Sequence, residues 1–193
     1  MRFEVAIWPD VLARLDDVAA AHAERAEQWW QSRREAARAL DSPAERRAAL
    51  AQLREERDLR RAAGLHFDTR SSIVSYYLRA ELERRGWRDR TWPPAPRGEV
   101  TMPGRRWGVP NDGTLSATFA VYVPDEDGEL LRRATWRTSA PTVRRLQQIA
   151  TMGRRLPRPV RQERAQLRSK IVTTADLIRA AAVAAVDAEH SPS

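Results

Sequence analysis

The sequence predicts a mainly α-helical fold carrying two short β-strands, and three observations predict it. Long stretches place apolar residues three and four apart, the spacing of one helix face. Two short runs, one at the N-terminus and one past the midpoint, alternate apolar with polar residues instead. A segment rich in proline and glycine separates two halves with the same order of elements. The chain has 193 residues, 42% of them hydrophobic, which is enough to bury a core.

The first strand lies in RFEVAI, where Phe3, Val5 and Ile7 share one face. From Pro9 to about Leu40 the pattern is helical, with Leu12, Leu15 and Val18 or Ala19 on one side. Asp41, Ser42 and Pro43 end that helix, and Ser42 and Pro43 suit the cap and first position of the next. Leu50, Leu53 and Leu59 give the second helix a narrow stripe, and Gly64 closes it. Thr69 then caps a third helix whose apolar side is Ile73, Val74, Tyr77, Leu78 and Leu82, with Gly86 at its end.

Arg88 to Gly113 holds TWPPAPRGEVTMPGRRWGVPNDG, in which prolines and glycines forbid a continuous helix, so it reads as a connector between domains 1–87 and 114–190. Leu115 to Val123 alternates as the second strand. Asp125 to about Ser139 is read as one helix, and Pro141 as the start of another through Leu156. The last helix, Thr173 to His190, opens with Thr173 and Asp176 at capping-box spacing.

Composition limits the function classes. No run approaches the roughly 20 apolar residues of a membrane span, and the N-terminus lacks the pattern of a signal peptide, so a soluble cytoplasmic protein without a membrane partner is expected. With no cysteine there is neither a disulfide nor a thiolate metal site. Arginine outnumbers lysine, of which Lys170 is the sole example, as GC-rich coding produces whatever the function. The net charge of +8 is more telling, because a positive field attracts nucleic acid or anionic lipid.

The two halves also match residue by residue. Phe3, Val5 and Ile7 overlay Phe119, Val121 and Val123, and Thr69, Ile73 and Val74 overlay Thr173, Leu177 and Ile178. A one-residue offset is expected between strand and helix, where Trp8 looks extra before Pro9. In FEVAIWPDVLARLDDVA with TRSSIVSYYLRAEL, and again in FAVYVPDEDGELLRRA with VTTADLIRAAAVAAV, the chain resembles the ribbon-helix-helix family of Arc and MetJ type.

The resemblance implies a tandem ribbon-helix-helix pseudo-dimer: mainly α with a two-stranded antiparallel β-ribbon, each copy carrying a helical insertion, at about 23–68 and about 139–172. In that family the paired strands enter the major groove of DNA and the second helices interlock beneath them. A lone strand leaves its ladder groups unpaired, so two copies have reason to associate. The long connector permits that pairing within one chain or by exchange between chains.

Double-stranded DNA is therefore the expected partner, read sequence-specifically, in a repressor or a plasmid or phage DNA-maintenance factor. The outward ribbon positions are Arg2, Glu4 and Ala6 with Thr118, Ala120 and Tyr122. Arginine can donate twice to guanine, threonine and tyrosine can donate or accept, glutamate can accept from cytosine, and alanine can meet a thymine methyl. Phosphate contacts are expected at the second-helix N-termini, from Thr69, Arg70, Ser71 and Ser72 and from Thr173, Thr174 and Ala175. Self-association on DNA is a further expectation.

The insert tryptophans Trp29 and Trp30, and Trp87, Trp92 and Trp107 around the connector, read as packing groups. The arginines from 33 to 61 are interleaved with glutamates and read as a solvated face. Those from Arg144 to Arg168 meet few acids and suit a DNA backbone. No enzyme, cofactor or metal site is expected: His22, His66 and His190 lie far apart, phosphate loops and metal-ligand spacing are missing, and His66 beside Asp68 reads as a loop interaction. The competing reading is a helical protein-interaction adaptor or antitoxin-like module, in which the inserts bind another protein and the ribbon is structural.

Overall fold

The computed structural model describes residues 1–94, 113–153 and 155–190. Most of the expected connector, Trp107 included, lies outside these residues, as does Arg154. The element order is β1 (Arg2–Ile7), α1 (Pro9–Arg38), α2 (Pro43–Ala62), α3 (Arg70–Arg84), β2 (Ala117–Tyr122), α4 (Asp125–Thr151), α5 (Arg158–Ser169) and α6 (Thr174–His190). The fold is thus mainly helical with one two-stranded antiparallel sheet.

β1 and β2 are neighbours across more than a hundred residues of sequence and pair within the one chain. Phe3 stands opposite Val121, Glu4 opposite Ala120 and Val5 opposite Phe119. Alternation then sorts the side chains. Val5, Ile7, Phe119, Val121 and the following Val123 are buried, with Phe3 half-buried beside them. Beneath this face α3 and α6 pack together, bringing Ile73, Val74, Leu78 and Leu82 against Leu177, Ile178, Ala182 and Val186 in the same core. Leu15 and Val18 of α1 and Leu131 and Ala134 of α4 complete it.

Local chemistry explains the helix ends. Ser42 Oγ accepts from the Ala44 and Glu45 amides, and Pro43 follows at the first helical position. Gly64 and Gly86 close α2 and α3 with φ of +73° and +62°, a region that an L side chain enters at a cost.

Each half also carries a helical arm. The distal part of α1 folds back on α2, where Arg57 lies 4.8 Å from the Trp30 ring centre and Arg60 4.9 Å from that of Trp29. In the second half α5 returns along α4, with Leu167 against Val143, Leu146 and Ile171.

Three expectations need correction. α4 runs unbroken from Asp125 to Thr151 through Pro141. An interior proline costs about 3 kcal/mol, but Leu131 and Ala134 before it and Val143, Leu146 and Ile149 after it are all buried, so a break would strip packing from both sides. The one-residue offset at Trp8 is absent, because α1 opens six residues after Phe3, at Pro9, and α4 six residues after Phe119, at Asp125. Leu59 does not join the α2 stripe: it is 71% exposed, while Leu53 alone of that helix is buried.

Candidate nucleic-acid interface

The outward face of the ribbon brings the six predicted base-contacting residues into three facing pairs: Arg2 with Tyr122, Glu4 with Ala120, and Ala6 with Thr118. Arg2, Glu4, Thr118 and Tyr122 are exposed, and Ala6 and Ala120 half-buried, so no described residue roofs the face. Tyr122 is the one large aromatic of the six, at 63% exposure. Arg2 Nη2 lies 2.6 Å from Glu4 Oε1, two residues along the same strand face. This face therefore holds one cation and one anion, and an exposed pair of this kind is weak enough for a better partner to displace.

The backbone on either side of the ribbon is tied to α3 and α6. Ser71 Oγ accepts from the Tyr122 amide at 3.2 Å, and Ser75 Oγ donates to the Tyr122 carbonyl at 3.1 Å. Across the ribbon Arg179 Nη1 donates to the Ala6 carbonyl at 3.0 Å. The Tyr122 amide and carbonyl and the Ala6 carbonyl, on the outer edges of the ribbon, are thereby occupied and closed to another strand.

α3 and α6 both open with reciprocal caps. Thr69 Oγ1 accepts from the Ser72 amide while Ser72 Oγ accepts from the Thr69 amide, each at 3.1 Å. Asp176 and Thr173 repeat the arrangement, with 2.8 Å from the Thr173 amide to Asp176 Oδ2 and 3.1 Å from the Asp176 amide to Thr173 Oγ1. The amides of Arg70 and Ser71, and of Thr174 and Ala175, precede these and have no acceptor within their own helix. The two ends differ in charge. The Arg70 side chain reaches back to Asp16 at 3.0 Å, whereas Asp176 places a carboxylate, paired with Arg179, at the start of α6.

A cleft lies beside each of these ends. The first, about 620 Å³, is bordered by Phe67, Thr69, Ser72, Tyr76, Arg79 and Tyr122. The second, about 420 Å³, is bordered by Trp8, Asp176, Arg179, Ala180 and Val183.

Several polar groups do structural work that the sequence did not reveal. Asp127 is 3% exposed and holds Arg79 at 2.8 Å and Arg88, joining the start of α4 to α3 and to the segment after it. Three acids occupy the first turn of α4, and nothing in the sequence marks this one as interior. Buried His22 lies 2.7 Å from Glu189 through Nε2 and meets the Phe67 ring edge-on. Burial and the nearby Arg25 hold its pKa below 6.5 although Glu189 pulls the other way. Neutral His22 donates from Nε2 to Glu189, and its Nδ1 has no hydrogen-bond partner among the described residues.

His66 is also buried and held below its usual pKa by burial and by Arg60. It faces Trp29 and Arg60, while Asp68 pairs with Arg61 and acts on His66 only through its charge, which pulls the pKa upward. Arg57 and Arg60 likewise cover indole rings and do not belong to a merely solvated face. Trp87 is buried, with Trp92 edge-on to it and donating to its carbonyl at 2.8 Å.

No family model, curated protein or solved structure matches the chain. Among the described residues no helix is long and apolar enough to cross a membrane.

Proposed function

We propose that the chain is a tandem ribbon-helix-helix protein that binds double-stranded DNA sequence-specifically through its β-ribbon, as a transcriptional repressor or a plasmid or phage DNA-maintenance factor. The observation that carries the proposal is the strand register. If Phe3 corresponds to Phe119 and Val5 to Val121, a twofold relation demands that Phe3 face Val121 whenever Val5 faces Phe119. An antiparallel ladder that makes the first pairing makes the second too, so the informative fact is the register itself, which sets the corresponding residues Glu4 and Ala120 opposite each other at the centre.

The same correspondence extends through the helices. Leu15 and Leu131, Val18 and Ala134, Ile73 and Leu177, Val74 and Ile178, and Leu82 and Val186 are buried at matching positions. Ser75 and Arg179 also match, as do Tyr122 and Ala6, and each helix residue donates to the strand carbonyl of its counterpart pair. Two surfaces support a duplex as the ligand: the open ribbon face and the capped helix ends beside it. A two-stranded ribbon fits the major groove, where each base pair presents a distinct pattern of donors and acceptors.

The test is selection from a randomised duplex pool with the purified chain. A reproducible enriched motif is expected, and Tyr122→Ala and Arg2→Ala should relax preference within it. Binding that is equal for all sequences, or absent at moderate salt, would reject the proposal.

A further inference from the structure

The second arm carries a charge pattern that the core does not require. Arg161, Arg164 and Arg168 recur at i, i+3 and i+7 along α5, with Arg158 one turn earlier, so the four arginines share one side of the helix, the first three exposed and Arg168 half-buried. Arg155 and Lys170 flank the helix. None of these six has an acidic partner among the described residues. The one acid on α5, Glu163, is held by Arg145 in a two-pronged pair at 2.7 and 3.1 Å.

An arm that needs no charged partner mixes its charges. α2 does so, setting Glu45, Glu55, Glu56 and Asp58 among its arginines and folding two of those arginines onto indoles. α5 instead gathers like charges that repel one another, on a helix that buries no residue fully. Such a surface is stabilised by a polyanion.

The attachment of the arm limits which polyanion. α5 ends at Ser169, and Ser139 of α4 fastens the chain just beyond it, bonding both the amide and the carbonyl of Val172. Thr173 then caps α6, and six residues on, about 9 Å along the helix, Arg179 grips the ribbon at Ala6. The root of the arm thus lies near one end of the ribbon. From there α5 is about 18 Å long, roughly half a turn of duplex. A membrane is the poorer partner, because Leu167 is spent on α4 and the helix presents no apolar face to enter a bilayer.

We propose that the arginine stripe of α5 grips the phosphate backbone of a DNA duplex on one side of the segment that the ribbon reads. This rests on the DNA-binding reading above and adds an asymmetry to it, since the first arm has balanced charge: contact extends beyond the ribbon on the side of the second arm alone.

The experiment compares the full chain with R158Q/R161Q/R164Q/R168Q, a variant that keeps helix-forming residues and breaks no described ion pair, with circular dichroism to verify the fold. Each is titrated with a mixed-sequence duplex over a range of sodium chloride concentrations. The magnitude of the slope of log affinity against log salt should fall by about 0.9 for each arginine that neutralises a phosphate, up to ~3.6 for four. On the selected duplex, hydroxyl-radical protection should disappear from one flank only.

An unchanged slope, or loss of protection on both flanks equally, would overturn the proposal. Tyr122→Ala separates it from the ribbon reading. Should the slope depend on the arm while no sequence is preferred and Tyr122→Ala changes nothing, the arm stands and the ribbon reading falls. Binding by the native chain to phosphatidylserine vesicles but not to duplex, and lost in the arginine variant, would overturn both.

Discussion

Asp127→Asn should cost about 2 kcal/mol of stability. The carboxylate is almost wholly buried and accepts from Arg79 at 2.8 Å and from Arg88. A hydrogen bond to a charged group contributes about 1.5–3 kcal/mol, so two would approach twice that. The arginines reduce the loss, because Arg79 is 51% and Arg88 27% exposed and both can return to water. Asparagine also keeps one acceptor oxygen in place. For a chain of 193 residues, 2 kcal/mol corresponds to a fall in Tm of about 4–8 °C.

Urea denaturation followed by circular dichroism would measure the change. Exposed Asp125 in the same helical turn is the control, and Asp125→Asn should produce no resolvable effect. Under the proposed correspondence of the two halves, Asp127 matches Val11 and Arg79 matches Val183, so Asp127→Val combined with Arg79→Val copies an apolar solution already present in the chain. That double variant should recover much of the loss, as apolar replacement of buried ion pairs often does. A cost for Asp127→Asn below about 0.5 kcal/mol would show that the carboxylate does not tie α4 to α3 and would refute the reasoning.

Two further perturbations test other features. Gly86→Ala should cost only the left-handed backbone penalty, about 1–2 kcal/mol, since its new Cβ meets open space, whereas at Gly64 that atom would lie 2.5 Å from the Tyr76 ring and the denaturation midpoint should fall further; equal effects would contradict this packing. With His22 and His66 both held below 6.5, the unfolded chain binds protons first as acidity increases, so stability should decline as pH falls through 6.5 and level off below the native values. The lowered carboxylates Glu81 and Glu163 act only below about pH 4.5, so pH 5–7 isolates the histidines, and a flat or rising curve there would exclude their neutral burial.

The sequence made local structure legible wherever chemistry acts over a few residues. The Ser42, Thr69 and Thr173 caps, the glycines at 64 and 86 and the inward face of each strand all depend on near neighbours. The continuity of α4 did not, because the burial that overrides Pro141 comes from other helices. Asp127 was opaque for the same reason: its partners are 39 and 48 residues away. At the candidate interface, alternation identified the six outward ribbon residues, but not that Arg2 leans on Glu4 or that Ser75 and Arg179 clasp the Tyr122 and Ala6 carbonyls. Those contacts depend on the register of β1 and β2 and on helices seated against them, which local patterns do not encode.

Methylation interference on the selected duplex tests the central claim most directly. Major-groove reading by the ribbon predicts loss of binding when guanine N7 is methylated within the motif, together with indifference to methylation of adenine N3 in the minor groove. Interference confined to adenine N3, or none at either position, would contradict a β-ribbon seated in the major groove.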